Sequence, residues 1–411
     1  MKWLGPTWLA VDLSAIAANL STIRSLTKAK VCPVLKADAY GHGIAVVSLF
    51  LEQQQVPYIA VSDIYEAAEL RQAGVNIPVL VLTPILPEQA SSAAAHDLTI
   101  TVSDPKVITA LAEQALTHRR TIKIHLKVNT GMNRVGIPPA HALEFARQIA
   151  KHKYLELEGV YTHFAEANSD LSFTKTQLNH LLAVKEELEH SGFTQLIWHA
   201  ANSSALFTFP ESHLDLVRVG TALFGQSLAK LPPGIALQNT WNLYTRIIQV
   251  HQVAKGEPVG YNQAYIAKRD SLIGVIPIGY SDGLGLAPEN HSLRQYLRKT
   301  LIHLVHNPLQ VSVDGISCPI VGKIAMGMCC IDLTDHPRAP DLYGAVVNIK
   351  ARRTAVNRRI PKIYTINNKL VLIHWQERYW QPMSRDGLVY VKEISLRAAV
   401  EILKRRNLYG S

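Results

Sequence analysis

The sequence predicts an α/β protein in which an N-terminal (β/α)8 barrel of the TIM type is followed by a mostly β C-terminal domain. Between residues 31 and 220, eight short apolar runs alternate with helical patterns. After about residue 233, marked by "LPPG", strand-like segments separated by Gly and Pro replace this alternation. From about residue 365 a third pattern begins. We therefore expect a barrel at 11–233, a β domain at 234–364 and an atypical basic extension at 365–411.

The eight apolar runs are the predicted barrel strands. They are VCPVLK, YIAVS, VLVLT, LTITV, IKIHLKV, EGVYTHF, LIWHAA and LVRVG. The segments between them have helical spacing, as in "DIYEAAELRQAG", which ends at a glycine. The extension contains a strand candidate, "KLVLIHW", and a helix candidate, "ISLRAAVEILKRRN", whose apolar residues share one face. Eight strand candidates that alternate with helices are the number expected of a closed parallel barrel.

Composition excludes several classes of protein. The chain has 411 residues and is 48% hydrophobic, which is enough for two or three domains. No run approaches the ~20 apolar residues of a membrane span, and Asp12 interrupts the N-terminal apolar run, so we expect a cytoplasmic protein with no membrane association. Its four cysteines have neither disulfide-framework nor metal-site spacing, and we expect Cys329 and Cys330 to pack in a strand with no metal site.

The positive charge is concentrated at the C-terminal end. The net charge is +10, and residues 352–411 hold 13 Lys and Arg against 4 Asp and Glu. A solvated tail, an extra packed element or an oligomer contact is the simplest explanation, and an anionic partner is the alternative. We do not expect a nucleic-acid partner, although the tail is basic.

Polar residues stand at or just beyond the ends of the predicted barrel strands, where side chains face one shared site. These residues are Lys36, Arg134, His163, Asn202, Ser203 and Arg218. A lysine at such a position either extends to solvent, pairs with a carboxylate or forms a Schiff base with a carbonyl cofactor. Position alone leaves these three alternatives open for Lys36.

Eight ordered motifs make the assignment more specific. They are KADAYGHG, LKVNTGMNRVG, YTHFAEA, HAANSSA, DLVRVGTALFG, GYNQAY, IPIGYSDG and VGKIAMGMC. Together they resemble alanine racemase, a pyridoxal 5′-phosphate (PLP) enzyme of fold type III, from about Trp8 to Tyr364. The resemblance implies that residues 1–10 join the β domain. It also implies a head-to-tail homodimer whose subunits share each active site.

The same resemblance gives roles to the barrel residues. Lys36 resembles the lysine that anchors PLP as a Schiff base, and the nearby Arg134 and Arg218 should help its amine to lose a proton. The positions that match the phosphate-binding group are Tyr40, Asn202, Ser203, Gly220 and Thr221. Taken singly, Ser203 or Thr221 is explained equally well as a helix N-cap.

Arg218 and His163 match residues on the pyridine side of the cofactor. Arg218 resembles the arginine that faces the pyridine nitrogen, and His163 the histidine that supports it. Because a guanidinium keeps its proton, the ring nitrogen would stay largely unprotonated and the cofactor would be a weaker electron sink. A short-lived carbanion then favours reprotonation over transamination. Without this context, His163 is explained by an ordinary core histidine.

Racemisation needs a base on each face of the α-carbon, and the resemblance supplies the second one in the β domain. Tyr261 matches the tyrosine donated by the partner subunit, whereas on its own it is an ordinary packing aromatic. Tyr280 matches a tyrosine near substrate and cofactor. Arg134 and the backbone of the partner's Met326 match the groups that bind the substrate carboxylate. Lys127 matches a lysine that is carbamylated in some members.

The sequence departs from the family pattern around the substrate entrance. The usual Met-Asp pair is Met326-Gly327 here, preceded by Lys323 in place of an arginine. Both neighbours of Tyr261 differ from the usual "SYG". Arg358 stands where the family has a tyrosine that touches the phosphate, after a shortened connection. An arginine also suits phosphate, but it changes the size and charge of the entrance.

We therefore expect a two-base alanine racemase that supplies D-alanine for peptidoglycan. The altered entrance keeps a second enzyme possible, a racemase of serine or of a basic amino acid. A different class of protein, a PLP-binding homologue without racemase activity, is the remaining alternative. Retention of both proposed bases, Lys36 and Tyr261, argues against that class.

Overall fold

A computed structural model of the chain describes residues 5–285, 309–385 and 388–405. The chain divides into two compact units, built mainly from Leu13–Thr240 and from Met1–Asp12 with Trp241–Ile402. The first strand, β1 (Trp8–Asp12), belongs to the second of these units. Among the described residues, no helix combines the length and apolarity that a membrane span requires.

The first unit is the predicted (β/α)8 barrel. Its strands are β2 (Lys30–Pro33), β3 (Ile59–Val61), β4 (Val79–Val81), β5 (Thr99–Val102), β6 (Ile122–Lys127), β7 (Leu155–Tyr161), β8 (Ile197–His199) and β9 (Leu216–Val219). Strands β3 to β8 form one parallel sheet in chain order, and β2 pairs in parallel with β9. The Val34–Ala60 bridge joins β2 to β3, and the Arg218 N–H donates to Ala201 O between β8 and β9. Each predicted run overlaps one of these strands.

Helices connect the barrel strands. They are α1 (Leu13–Ser25), α2 (Ile44–Gln53), α3 (Ile64–Gln72), α4 (Ala90–Ala95), α5 (Pro105–His118), α6 (Ala142–Ala150), α7 (Leu171–His190) and α8 (Ser203–Thr208). Short 3-10 helices occur at Pro87–Gln89, Pro139–His141 and Pro210–Ser212. Acidic N-caps begin several of the helices, as at Asp63, whose carboxylate accepts the backbone N–H groups of Tyr65 and Glu66. This cap fixes the start of α3 just beyond β3.

The second unit is mostly β, as predicted. Its further strands are β10 (Trp241–Arg246), β11 (Gln249–Val253), β12 (Pro258–Val259), β13 (Tyr265–Ile266), β14 (Ser271–Ile276), β15 (Gln310–Val313), β16 (Ile316–Val321), β17 (Cys329–Asp332), β18 (Val346–Ile349), β19 (Lys362–Ile366), β20 (Lys369–Trp375), β21 (Arg378–Arg385) and β22 (Leu388–Ile394). A twelve-stranded sheet has the order β11-β14-β17-β16-β15-β18-β10-β1-β19-β20-β21-β22, and β12 pairs with β13. The N-terminal strand is therefore central in this sheet.

The residues after 365 continue the same sheet. Strand β1 pairs in parallel with β19, and β20, β21 and β22 follow as antiparallel neighbours. A small apolar cluster between these strands includes Ile363, Ile373 and Trp380. A helix, α9 (Leu396–Arg405), follows, and its Ala399 is buried. Short 3-10 helices at Tyr261–Gln263, Tyr280–Asp282 and Arg353–Ala355 lie in the connections.

Candidate active site

A cavity of about 550 Å³ lies at the carboxyl ends of the barrel strands. Its lining includes residues that end or directly follow β2, β3, β4, β6, β7 and β9, and Asn202, which lies three residues after β8. All of the site residues predicted in the barrel line this cavity: Lys36, Tyr40, Arg134, His163, Asn202, Ser203, Arg218, Gly220 and Thr221. Lys127 lines it as well. Barrel closure thus brings together residues that are up to 185 positions apart, from Lys36 to Thr221.

Lys36 begins a left-handed helical turn, Lys36–Gly41, which the sequence did not predict. The φ angles of Ala37 to Tyr40 all lie between 52° and 57°. A left-handed turn costs about 1–2 kcal/mol per residue other than glycine, so surrounding contacts must hold it. The Asp38 carboxylate accepts the N–H of Ile44 at 2.8 Å. The Ala39 carbonyl lies 2.8 Å from His42 Nδ1. These contacts hold the turn and thereby fix the direction in which the Lys36 side chain points.

Glu66 is a further support of this turn that sequence reasoning missed. One carboxylate oxygen accepts the Asp38 N–H at 3.3 Å, and the other accepts the Ser62 N–H at 3.0 Å. Glu66 is buried on α3, one turn after the Asp63 cap. The sequence signal that could have indicated it is an acidic residue in the first turn of the helix, three residues after the Asp63 cap.

The Lys36 amine lies in surroundings that favour its neutral form. Its Nζ is 5.9 Å from the centre of the Tyr40 ring. Burial lowers the pKa of Lys36, the positive charge of Arg134 lowers it further, and Glu66 opposes the shift. An amine with a lowered pKa is a better nucleophile and proton acceptor near neutral pH.

Arg218 on β9 is 3% exposed and is held by several acceptors. Its Nη2 donates to Thr162 O at 2.8 Å and to Ala200 O at 3.0 Å. Nη1 lies 2.7 Å from His199 Nδ1, whereas the distance from Nη2 to His163 Nδ1 is 3.4 Å. His199, which the sequence analysis did not single out, is therefore the nearer histidine. Burial and the charge of Arg218 lower the pKa of His163 to about 3, so this ring is neutral.

Hydroxyl groups cluster around Gly220. Ser203 Oγ accepts the N–H groups of Gly220 at 3.0 Å and Ala222 at 3.3 Å, so its own proton is left to donate. A Cβ atom at Gly220 would lie 2.3 Å from Tyr40 Oη, so only glycine leaves room for that hydroxyl. The Asn202 side chain accepts from Ser204 and Ala205 as the N-cap of α8. Asn202 is thus a cap that also lines the cavity.

The cavity is strongly positive. Four basic side chains line it, namely Lys36, Lys127, Arg134 and Arg218. No Asp or Glu is among the described residues of this lining. Burial lowers the pKa of Lys127 to about 8, with Arg218 and Arg134 adding to the shift.

PLP carries an aldehyde that reacts with an amine and a phosphate that needs donors and positive charge. Lys36 fits the aldehyde, and the hydroxyls of Ser203 and Tyr40 near Gly220, with the surrounding positive charge, fit the phosphate.

The other predicted residues lie on loops of the β unit. Tyr280 donates its N–H to Ala325 O at 3.1 Å, and the Ser281 N–H donates to Met326 O at 3.0 Å. The segment before Arg358 joins them, because the Asn357 N–H donates to Asp282 O at 3.3 Å. Gly260, beside Tyr261, lies against Gly322 and Lys323 of the strand end that leads to Met326. The four predicted residues Tyr261, Tyr280, Met326 and Arg358 therefore stand on neighbouring loops of this unit.

A partly desolvated lysine amine beside the guanidinium groups of Arg134 and Arg218, at the carboxyl ends of a (β/α)8 barrel joined to a β unit, defines a class: the barrel enzymes that use PLP. Two family models are more specific. The "Alanine racemase, N-terminal domain" matches residues 11–228, and the "Alanine racemase, C-terminal domain" matches residues 240–379. The chain belongs to the alanine racemase family, whose enzymes depend on PLP.

Individual relatives agree with this membership. The chain is 34% identical to an alanine racemase of Desulfovibrio desulfuricans, over 81% of this chain and 86% of that protein. It is 33% identical to an alanine racemase of Methanococcus maripaludis, over 89% of this chain and 95% of that protein. Among solved structures, alanine racemase of Clostridium difficile 630 is similar with a TM-score of 0.81 and 28% identity, covering 90% of this chain and 98% of that one.

A further structure is similar over the same share of each chain. It is the alanine racemase of Bacillus anthracis with bound L-Ala-P, with a TM-score of 0.79 and 29% identity, again covering 90% of this chain and 98% of that one. Both units of the present chain are thus represented in its relatives.

Proposed function

We propose that this chain is a PLP-dependent alanine racemase that interconverts L-alanine and D-alanine. The observation that carries the proposal is the position of Lys36, a partly desolvated amine in a cavity lined by three further cations. Membership of the alanine racemase family supports alanine as the substrate.

The proposed residues around the cofactor divide into two groups. The hydroxyl groups of Ser203 and Tyr40 hold its phosphate, together with Asn202, Gly220 and Thr221. Arg218 faces the pyridine nitrogen, with His163 beside it. Bound there, PLP would supply an electron sink for the α-carbon of the substrate, which would make the α-proton acidic. Tyr280 and Arg358 are proposed as further contacts from the β unit.

Two bases move the proton. The Lys36 amine accepts the α-proton from one face of the α-carbon, and the Tyr261 phenol donates a proton to the opposite face. Each conversion accepts one proton and donates one, so no net proton is consumed, and in the reverse direction the two residues exchange these roles. The lowered pKa of Lys36 suits an amine that must be neutral before it accepts a proton.

The substrate carboxylate needs its own cationic group. Arg134 lines the cavity and is proposed to bind that carboxylate through its guanidinium. The backbone of Met326 is proposed as a second donor. Its carbonyl is already bound by the N–H and Oγ of Ser281, which fixes the orientation of the loop.

We also propose a homodimer in which Tyr261 and Met326 enter the partner's cavity. Tyr261 is 68% exposed and Met326 is 63% exposed in the single chain, and Met328 nearby is 51% exposed. Large apolar side chains exposed on one group of loops are typical of an interface. An exposed tyrosine at such a surface is available to a second subunit.

The proposed setting is the cytoplasm, with D-alanine used for peptidoglycan. All four cysteines are free thiols, which is typical of a reducing compartment. The small-molecule product requires no membrane or nucleic-acid partner.

One experiment tests the substrate. The purified protein is supplied with PLP and incubated in heavy water with L-alanine, L-serine, L-lysine or L-arginine. Exchange of the α-proton is followed by NMR, and the D-isomer by chiral chromatography. We expect both signals to be strongest with alanine. A larger signal with serine or a basic amino acid would overturn alanine as the substrate, and no exchange with any amino acid would overturn the racemase itself.

A further inference from the structure

A line of five polar side chains runs through the barrel interior from its surface to the cavity. Lys123 contacts Glu158 at 2.5 Å, and the other Glu158 oxygen lies 3.1 Å from His125 Nε2. His125 Nδ1 lies 2.8 Å from His199 Nε2, and His199 Nδ1 lies 2.7 Å from Arg218 Nη1. Both histidines are fully buried, whereas the Lys123 side chain is 44% exposed. Barrel interiors are usually filled by apolar side chains, so this line requires an explanation.

From Arg218 to Glu158 the hydrogen bonds of this line all point in one direction, and Lys123 donates to the same carboxylate from the other side. Arg218 has only donors, so His199 Nδ1 must accept. Burial, with the Arg218 charge, places the pKa of His199 well below its ordinary value, so the ring is neutral with its proton on Nε2. That proton is donated to His125 Nδ1. The pKa of His125 is also lowered by burial, so its single proton lies on Nε2 and is donated to Glu158.

Packing holds the two imidazole rings in place. The Tyr161 ring is stacked on His199, with ring centres 4.6 Å apart and planes 8° apart. Gly159 lies against His125, since a Cβ atom there would be 2.8 Å from His125 Cε1. The Arg218 guanidinium carbon lies 5.0 Å from the centre of the same Tyr161 ring. The rings therefore cannot rotate to accommodate a change of tautomer without disturbing these contacts.

We infer that Glu158 and His125 are positioning residues that act through His199 on Arg218. Glu158 fixes the proton of His125 on Nε2, and this in turn keeps His199 Nδ1 free of a proton, so that it accepts from the guanidinium. Glu158 also supplies a negative charge to a line that contains the buried Arg218 cation. The inference rests on the proposed function in one respect, namely that Arg218 is the group that faces the pyridine nitrogen.

Glu158→Gln is the informative variant, because a glutamine offers one oxygen where the carboxylate serves three donors. These donors are Lys123, His125 and the Tyr58 hydroxyl. With Lys123 bound to the single oxygen, the glutamine NH2 faces His125 Nε2, which must then accept. The proton of His125 then lies on Nδ1 and is donated to His199 Nε2. The proton of His199 consequently lies on Nδ1, where it faces the guanidinium of Arg218, which is also a donor. The double variant Lys123→Met/Glu158→Gln frees the oxygen for His125, since the Tyr58 hydroxyl can turn to accept from the amide.

The experiment measures the tautomers directly. Protein labelled with ¹⁵N in its histidine rings is studied by NMR, with and without PLP, and His125 and His199 are assigned from their own variants. The control variants are Glu156→Gln, an exposed glutamate on the same strand, and Lys123→Met alone. We expect the wild type, both controls and the double variant to carry the protons on Nε2 of both rings, and Glu158→Gln to move them to Nδ1.

Steady-state kinetics supply the second measurement. We expect Glu158→Gln to lower kcat about tenfold with KM for alanine within about twofold, and the double variant to recover most of the loss. Unchanged tautomers in Glu158→Gln would overturn the inference, as would kinetics equal to those of Glu156→Gln. The NMR result does not depend on activity. If Glu158→Gln changes the tautomers as expected but the wild type racemises no amino acid, the positioning network stands and only the proposed function is overturned.

Discussion

The backbone N–H of Asp38 donates to Glu66 Oε1 at 3.3 Å, and this bond joins the left-handed turn after Lys36 to the start of α3. The second oxygen of the same carboxylate binds the Ser62 N–H. Lys36 and Ser62 both line the cavity. A single buried carboxylate thus organises two loops of the site.

We predict that Glu66→Gln weakens this turn, because the amide NH2 replaces one of the two acceptor oxygens and faces a backbone N–H. The expected results are a loss of about 1–3 kcal/mol in the free energy of unfolding and a PLP affinity reduced about tenfold. Denaturant unfolding and an absorbance titration with PLP measure them. Glu186→Gln, on the exposed face of α7, is the control. Equal PLP affinities in the two variants would contradict the prediction.

Lys36→Ala should abolish the covalent attachment of PLP. Borohydride reduction of the wild-type protein with PLP should leave the cofactor on the peptide that contains Lys36, as measured by mass spectrometry. The variant should lack both this label and the absorbance band of the bound cofactor. Lys151→Ala, which changes an exposed lysine of the barrel unit, should keep both. A labelled peptide elsewhere in the chain would show that another lysine is the anchor.

Tyr261→Phe should keep the fold and the cofactor, since the side chain is 68% exposed in the single chain. Without the phenol, the proton transfer that uses it should fall by about two orders of magnitude or more, while transfer at the Lys36 face continues. Exchange of the α-proton in heavy water, measured separately from L- and D-alanine, distinguishes the two directions. Tyr343→Phe is matched to it as an exposed tyrosine of the same unit. Equal losses in both variants would remove Tyr261 from the mechanism.

The stability that Glu158 contributes near neutral pH should be lost as the pH falls. Burial alone would raise the pKa of this carboxyl, but hydrogen bonds from His125, Lys123 and Tyr58 outweigh it and hold the pKa at about 2, below the usual 4.5. A carboxyl with a depressed pKa stabilises the fold above pH 4.5 and loses that contribution as the pH falls toward 2. The contribution is on the order of 3 kcal/mol.

Urea unfolding of the wild type and of Glu158→Gln measures this contribution. The difference between the two free energies of unfolding should be largest near neutral pH and should shrink below pH 4.5. The exposed Glu156→Gln variant should follow the wild type throughout. If the difference in the free energy of unfolding does not change with pH, Glu158 stabilises the fold through its packing and not through its charge.

Gly327→Asp should restore the carboxylate that the family usually carries next to Met326, without changing the fold. Gly327 is exposed, and a Cβ atom there would meet no atom within 4 Å. We expect the melting temperature to stay within about 2 °C and the ratio of kcat/KM values for alanine and lysine to change. Gly327→Asn, of equal size and no charge, separates the effect of charge from that of bulk. An unchanged ratio in both variants would place this position outside substrate selection.

Most of the barrel could be predicted because its signal is local. Each of the eight strands is a short apolar run of sequence, and the alternation with helices indicates the parallel order. The residues at strand ends then meet at one site as a consequence of closure. The left-handed turn after Lys36 was missed, because Ala37, Ala39 and Tyr40 have no preference for positive φ. Contacts with Glu66, 28 residues later, decide that conformation.

The sequence by itself determined the class of fold, the motifs of the family and the lysine that faces the cavity. The tertiary structure decided which polar groups meet inside the barrel. His125 and His199 are 74 residues apart, and Arg218 reaches His199 only because β8 and β9 lie side by side. A hydrogen bond needs two atoms within about 3 Å, and strand register and closure set such distances between residues remote in sequence. No local pattern carries that information.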